Sequence, residues 1–356
     1  MIKWDLANIE VSRVNNSDFI SLLNHLFNLC LITPLTIFFW ASTWDIYYTY
    51  IYPNNLSLSC LITFLITNII LILSYFGEKK FQLYLDKHDK NSRKSIIFRL
   101  FYTYFLSLAY VAQWKTYWDV LNYYTYKFDY KYFIVLSIFS LFSYRYILKN
   151  SFQNYIRTCP FQLKIDHEFY THFFVQNKIF YSKNENLQNL SNFLYFEIVD
   201  ISISLFAWKG LWDLIDIGSL YLMNGSTFKS LFLTGLLGYS LYLCLIIFQA
   251  FLIRNKMCLI RRKIIEDLVY ILSYLSIVAV WRTFWNGYDY FIFMIESREL
   301  IFLVTHFGIF ILMVILKLDS SLYGPGGSNL IMENTYKYNQ PVGKTNFDQL
   351  FEIKYF

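Results

Sequence analysis

The sequence predicts an all-α polytopic membrane protein, built of eight transmembrane helices that form four helical hairpins in parallel repeat. Three observations predict it: an apolar composition, eight long apolar segments and a tryptophan pattern that occurs four times. The 356 residues are 56% hydrophobic and 22% aromatic but only 16% charged, whereas an average soluble domain is about 25% charged. Mean hydropathy is +0.36. A soluble core of this size could not bury so much apolar surface, but a bilayer accepts it.

Eight apolar segments are long enough to cross a membrane. The hydrocarbon core is about 30 Å thick and needs about 20 helical residues. The segments cover about 19–47, 57–76, 96–121, 131–149, 191–217, 230–252, 264–287 and 299–318. They lack the alternation of outer-membrane barrel strands, which favours helices. Pro34 lies inside the first segment and predicts a kink there, which neighbouring helices tolerate in a membrane.

Lysine and arginine predict the orientation of these segments. They gather in the connections after segments 2, 4 and 6, for example at 79–94, 149–183 and 254–263, whereas the other connections are short and carry few charges. The positive-inside rule places the basic connections and both termini in the cytoplasm. Residues 1–18 have no apolar core, so we expect a cytoplasmic N-terminal segment and no cleavable signal peptide.

A tryptophan pattern near the C-terminal end of each odd-numbered segment is the most informative feature. Its copies read WASTWDIYY, WKTYWDVLN, WKGLWDLID and WRTFWNGYD, and they start at Trp40, Trp114, Trp208 and Trp281. Copies spaced 74, 94 and 73 residues apart form an internal repeat. Segments in one orientation are typical of parallel-repeat transporters. We therefore expect hairpins at about 19–94, 95–185, 186–260 and 261–318, followed by a flexible cytoplasmic tail at 319–356.

A polar stripe accompanies the tryptophans. Lys209, Asp213 and Asp216 follow the spacing i, i+4 and i+7, which is one helix face. The second copy repeats it with Lys115, Asp119 and Asn122, and the fourth with Arg282, Asn286 and Asp289. The first copy departs, since it has Ala41, Asp45 and Tyr48 and lacks the cation.

Two interpretations of the pattern stay open. Trp and Tyr concentrate at membrane interfaces, so the pairs could form an aromatic belt. Charges at membrane depth, however, usually face the bundle interior in pairs. We favour an interhelical polar and tryptophan-packed layer below the outer surface, either a structural clamp or a conduction path. Its residues would be Trp40, Trp44, Asp45, Trp114, Lys115, Trp118, Asp119, Asn122, Trp208, Lys209, Trp212, Asp213, Asp216, Trp281, Arg282, Trp285, Asn286 and Asp289.

Other candidate sites are weaker. Glu197 and Asp200 lie one turn apart toward the cytoplasmic end of segment 5, where an ion or proton site is less expected than snorkelling or pairing with a base. We found no phosphate loop, nucleophile elbow or paired-carboxylate motif, so no enzyme, cofactor or metal site is expected. The net charge of +6 favours contact with anionic lipid rather than nucleic acid. Glycosylation sequons occur at Asn55 and Asn224.

The recurring pattern, clearest in FAWKGLWDLID and AVWRTFWNGYD, resembles the fuseless family of invertebrate transmembrane proteins over about 19–318. The resemblance implies a neuronal plasma-membrane protein of presynaptic organisation that places calcium channels at active zones in synaptic transmission. Its partners would be membrane lipid and channel or scaffold proteins, bound through the cytoplasmic connections and tail. The resemblance assigns no ligand residues, and Ala41 departs from the pattern.

Two classes of function follow. One is a membrane organiser or regulator of ion channels; the alternative is a transporter or channel whose path the repeated stripes line. A continuous polar cavity from the stripes to Glu197 and Asp200 would favour transport. A solid aromatic core would favour the organiser.

The predicted topology is testable by labelling. A tag in the tail, and cysteines introduced into 150–190, should be protected from impermeant reagents in intact cells and become reactive after permeabilisation. A cysteine introduced beside Asn224 is the accessible control. Labelling of the tail from outside would contradict the inward assignment of the basic connections.

Overall fold

The computed structural model describes residues 26–87, 92–125, 135, 138–139, 172–173, 180–254 and 259–331. Helix α1 (Thr33–Tyr50) follows a π-helical turn at Asn28–Ile32. The remaining helices are α2 (Leu56–Lys87), α3 (Arg93–Thr125), α4 (Glu185–Tyr195), α5 (Ile201–Leu222), α6 (Thr227–Arg254), α7 (Leu259–Ile292) and α8 (Arg298–Ile315). A second π-helical turn, Phe196–Asp200, joins α4 to α5, and a 3-10 segment covers Asp319–Asn329. Strands β1 (His172–Phe173) and β2 (Leu330–Ile331) pair antiparallel.

Six helical stretches are long and apolar enough to cross a membrane. They are Asn28–Tyr50, Leu56–Glu78, Arg93–Tyr124, Asn186–Leu222, Thr227–Leu245 and Arg298–Ile315, which correspond to predicted segments 1, 2, 3, 5, 6 and 8. Predicted segment 7 is helical within α7 but is not among the six. Segment 4 (131–149) falls outside the described residues except at three positions. The chain is therefore a helical membrane protein, and the count of eight spans stays a prediction.

The four helices that carry the tryptophan pattern form the centre of the bundle. Helix α1 contacts α3, α3 contacts α5, α5 contacts α7, and α7 contacts α1, so the four close a circle. The other long helices pack outside this circle. Helix α2 lies along α3, α6 along α7, and α8 along α1.

This packing does not confirm the expected hairpins. We expected each odd segment to pair with the even segment that follows it, but α2, α6 and α8 pack most extensively on the next odd helix, with α8 returning to α1. Helix α6 also contacts α5, less extensively. Short connections at 51–55, 223–226 and 293–297 tether helix ends without fixing which sides meet. Packing between side chains decides which helices pair, and it pairs α2 with α3, α6 with α7 and α8 with α1.

Small and hydroxylated residues make those contacts. Between α2 and α3, the Thr63 and Thr116 hydroxyls lie 2.6 Å apart. Between α8 and α1, the Thr43 hydroxyl lies 2.8 Å from His306 Nδ1. Such close, hydrogen-bonded crossings are typical of membrane helices, where lipid tails supply no hydrophobic drive between helices.

The 3-10 segment turns back into the bundle beneath the tryptophans. Leu322 and Tyr323 are fully buried. The indole N–H of Trp40 donates to the Leu322 carbonyl at 2.9 Å, and the Tyr323 hydroxyl donates to Thr103 Oγ1 at 3.2 Å. The expected flexible extension is therefore wrong for these first tail residues. The packed backbone supplies the acceptor that a buried indole N–H needs.

Two further residues fit this segment to the core. Gly324 has a φ of 53°, and a Cβ there would lie 2.6 Å from the Trp40 ring, so the position requires glycine. Asp319 begins the segment. Burial raises the pKa of its carboxyl, although Arg99 and a hydrogen bond from Thr103 oppose the shift.

The α6–α7 crossing gives a direct test of the packing. A Cβ on Gly238 would lie 2.7 Å from Val280 Cγ2 and 3.2 Å from the Ser276 carbonyl oxygen. Gly238→Ala should therefore lower stability by about 1–3 kcal/mol through overpacking. Thermal unfolding in detergent measures it. Gly218→Ala is the matched helical control because nothing lies within 4 Å of its added Cβ; equal melting temperatures for the two variants would contradict the close crossing.

Candidate functional site

The first tryptophans of the four copies form a closed ring, which we call the inner tetrad. Neighbouring ring centroids lie 5.2–5.9 Å apart, and neighbouring planes are nearly perpendicular, at 84–90°. All four side chains are buried. The members, in order around the circle, are Trp40, Trp114, Trp208 and Trp281.

The second tryptophans form a matching ring, the outer tetrad. Its centroids lie 5.1–6.3 Å apart, with interplanar angles of 82–90°. Only Trp44 of this ring is fully buried, and the others are partly exposed. The members are Trp44, Trp118, Trp212 and Trp285.

The two rings fix the register of the central helices. First tryptophans contact first tryptophans and second contact second around the whole circle, so the four helices run in the same direction at one depth. A spacing of four residues separates the tetrads by about 6 Å along the helices. Edge-to-face contacts suit indoles, since a positive ring edge meets a negative face, and each adds about 0.5–1.5 kcal/mol beyond burial.

The tetrads surround a cavity of about 200 Å³. Liquid water occupies about 30 Å³ a molecule, so the cavity has room for roughly six waters. It is smaller than the roughly 300–1,000 Å³ of sites for drug-sized ligands. Its lining consists of the eight tryptophans together with Tyr48, Asn122, Asn286 and Asp289.

The second copy holds a buried ion pair, and a tyrosine of the first copy bonds to it. Lys115 Nζ lies 2.7 Å from Asp119 Oδ2, and both side chains are almost completely buried. The Tyr48 hydroxyl donates to Asp119, and Lys115 Nζ lies 4.1 Å from the Tyr48 ring centroid. Tyr48, which stands where the repeat elsewhere has Asn or Asp, thus crosslinks α1 to α3.

The third copy forms the intrahelical pair that its spacing allows. Lys209 Nζ lies 2.6 Å from Asp213 Oδ2 and 5.0 Å from the centroid of the Trp118 ring on α3. The Asp213 side chain is 26% exposed, whereas that of Asp119 is 2% exposed. The two pairs therefore share one geometry but differ in access to solvent.

The fourth copy pairs across helices instead. Arg282 Nε donates to Asp216 Oδ1 at 2.7 Å, and its other nitrogens donate to the hydroxyls of Thr234 and Ser230 on α6. The Asn286 amide also donates to Asp216, at 3.3 Å. One guanidinium thus links α5, α6 and α7.

Two carboxylates of the layer form no ion pair with the residues that the structure describes. They are Asp45 on α1 and Asp289 on α7, two helices that contact each other. In the described part of the chain, no Lys or Arg side chain forms an ion pair with either. Asp289 lines the cavity and is exposed, and Asp45 is half-buried.

Glu197 lies apart from this cavity. It is buried in the π-helical turn, where the Gln113 amide donates to its Oε2 at 2.9 Å. The side chain of Asp200 is outside the described part of the structure. Because its side chain is buried, Glu197 does not snorkel; pairing with a base, the other expectation, stays a prediction. Neither acid is among the residues that line the tryptophan cavity.

Sequence reasoning missed several groups that complete the site. The Leu322 carbonyl comes from beyond the last predicted segment. Tyr274 lies on α7, two helical turns before Trp281, and packs against Trp208 with ring centroids 5.7 Å apart. Ser230 and Thr234 come from the outer helix α6. Periodicity gives no signal for groups supplied by other helices. Within the described residues, no cluster of three or more His, Cys, Asp or Glu could hold a metal ion.

The chain matches the family model described as Fuseless over residues 19–323. The match includes all four tryptophan copies and ends at Tyr323, in the segment that packs beneath Trp40. No curated protein and no solved structure matches the chain.

The ion pairs predict graded effects of removing a carboxylate. Asp119→Ala leaves Lys115 buried and unpaired, at a cost of about 3–5 kcal/mol, which is comparable to a protein's whole stability. Asp213→Ala should be milder because that pair is partly exposed. Surface expression and melting temperature measure both.

Replacing the cation as well is the control. Lys115→Met with Asp119→Ala should partly restore expression, as should Lys209→Met with Asp213→Ala, because no isolated charge remains. Normal expression and stability of Asp119→Ala alone would favour an aromatic belt over an interhelical layer.

Proposed function

Since this chain belongs to the Fuseless family, we propose that it is a non-enzymatic multi-pass plasma-membrane protein that organises or regulates ion channels. In neurons it acts at the presynaptic active zone, where it places calcium channels for synaptic transmission. Both termini and the basic connections lie in the cytoplasm, where they bind channel or scaffold proteins.

The closed aromatic core is the observation that carries this proposal against transport. The inner tetrad packs ring on ring, and beneath it lie the buried Leu322 and Tyr323, Gly324 against the Trp40 ring, and Tyr274 against Trp208. Within the described residues, nothing below the inner tetrad lines the cavity. A conduction path needs polar groups or water along its length, so this packing supports an organiser.

The charges of the polar layer support the same conclusion. Six of them are engaged in ion pairs that crosslink helices or brace one helix, as the contacts of Asp119, Asp213 and Asp216 show. Groups that relay an ion would have to exchange partners during transport. A transporter or channel is the alternative. Its path would have to connect the cavity with Glu197, which lies in the π-helical turn before α5 and beside Gln113 of α3.

The outer helices supply surfaces for lipid and for membrane-embedded partners. Apolar side chains of α2 are strongly exposed, among them Leu65, Ile69 and Leu73, and α8 exposes Leu300 and Val304. A rigid tryptophan core would hold these helices, and the cytoplasmic connections at their ends, in fixed relative positions. That is what a scaffold for a channel requires. The basic connections would add attraction to anionic lipid.

Imaging of channels in neurons tests the proposal. Removing the chain from a neuron that expresses it should reduce tagged calcium channels at active zones while total channel protein stays unchanged. Re-expression of the wild-type chain should restore them. Replacing Arg261, Arg262 and Lys263 by Gln should restore them less well, because the proposed contact lies on the basic connections. Unchanged channel density without the protein would contradict the proposal.

Flux measurements test the alternative. The purified chain in proteoliposomes should give no more cation or proton flux than protein-free vesicles. Gly324→Ala is expected to disturb the packing beneath Trp40, and the same flux measurement on this variant tests whether that packing closes the path. Flux through the wild-type protein that Glu197→Gln abolishes would favour transport instead.

A further inference from the structure

The walls of the tryptophan cavity are aromatic to an unusual degree. Nine of its twelve lining residues are Trp or Tyr, and the other three are Asn122, Asn286 and Asp289. Aromatic faces carry negative potential and attract cations within about 6 Å of the ring centroid, most strongly for Trp. The chain's own cations already use such faces, since Lys209 lies over Trp118 and Lys115 over Tyr48. The lining therefore favours a positively charged guest.

The charge balance of the layer points the same way. Its three cations are matched by three carboxylates, those of Asp119, Asp213 and Asp216. Within the described residues Asp45 and Asp289 are left without an ion pair, and Asp289 lies on the cavity wall and is exposed. A cation bound in the cavity would lie near the Asp289 carboxylate, which the described residues leave without a basic partner. An anion would meet the Asp289 carboxylate.

The volume of the cavity and the few oxygen ligands in its lining limit which cations could bind. A volume of about 200 Å³ fits a head group and is too small for a drug-sized molecule. A calcium ion takes about 6–8 oxygen ligands, whereas this lining offers one carboxylate and two amides among nine aromatic residues. Alkylated ammonium groups need few hydrogen-bond acceptors and bind well inside aromatic cages.

We propose that the tryptophan cavity binds a trimethylammonium head group, held by the outer-tetrad indoles and by Asp289. Two sources share this chemistry: a small soluble quaternary amine, and the choline head group of a phosphatidylcholine lipid. The proposal is independent of the channel-organising function, because it concerns a ligand of the isolated protein.

Intrinsic fluorescence reports on the site, since eight of the nine tryptophans line it. The full chain is placed in nanodiscs of phosphatidylglycerol and phosphatidylethanolamine and titrated with tetramethylammonium chloride. Sodium chloride at equal ionic strength is the control for screening. We expect a saturable change in tryptophan emission with tetramethylammonium and none with sodium.

Matched variants locate the binding. Asp289→Asn preserves the shape of the side chain and should weaken tetramethylammonium binding by about tenfold or more, because one unit charge near the cation is lost. Glu296→Gln removes an exposed acid from the connection after α7, outside the cavity lining, and should leave binding unchanged. Trp285→Leu should also weaken binding, whereas Trp285→Tyr should retain most of it.

Nanodiscs of phosphatidylcholine separate the two sources. If the lipid head group is the ligand, tryptophan emission is already shifted in these discs and tetramethylammonium adds no further change. If the ligand is soluble, tetramethylammonium titrates equally in both lipids. Either result supports the site. The absence of saturable binding in phosphatidylglycerol discs, or equal binding by Asp289→Asn and Glu296→Gln, would overturn it. Neither result bears on channel placement in neurons.

Discussion

Edge-to-face packing of eight indoles is the interaction on which the rest of this structure depends. Each central helix contributes one indole to each ring, so a shift of one residue in any helix would break four ring contacts at once. Lipid tails are as apolar as leucine, and aliphatic packing alone would leave the helices free to slide. The perpendicular geometry of indoles supplies the missing specificity of depth and direction. The circular contact of α1, α3, α5 and α7 follows from it.

The buried charges of the polar layer can offset their desolvation cost only because the tryptophan rings hold the paired groups in place. A buried ion pair contributes little net stability once its desolvation is counted, but removing one partner leaves an unpaired buried charge and strongly destabilises the fold. Arg282 on α7 shows this dependence. Its guanidinium bonds to α5 and α6, and all of these bonds form only when the three helices are correctly assembled. We therefore expect such pairs to add specificity of assembly, more than stability, to a bundle whose rings already include Trp208 and Trp281.

The sequence predicts which residues of one helix belong to the site better than it predicts which other helices those residues contact. Spacing placed Trp114 and Trp118, with Lys115 and Asp119, on adjacent sides of one helix, because helical periodicity is a local property. It could not show that α8 packs on α1, since connection length says nothing about which helix sides meet. Nor could it show that Leu322 returns beneath Trp40, because a glycine-rich segment after the last span reads as a flexible tail. Contacts between distant segments carry no local signal.

Departures from the repeat, rather than the repeat itself, produce the unbalanced charge of the cavity. In the second and third copies a lysine and the aspartate four residues later neutralise each other. The first copy has Ala41 in place of the cation, buried against Tyr288, which leaves Asp45 unmatched. The fourth has Asn286 in place of the aspartate, so Arg282 turns to Asp216 and leaves Asp289 unmatched. Four copies of the second pattern would give a neutral layer. Here the first copy lacks a cation and the third carries a second aspartate, Asp216, so two carboxylates are in excess. Because Arg282 pairs with Asp216, the two that remain are Asp45 on α1 and Asp289 on α7, and these helices contact each other.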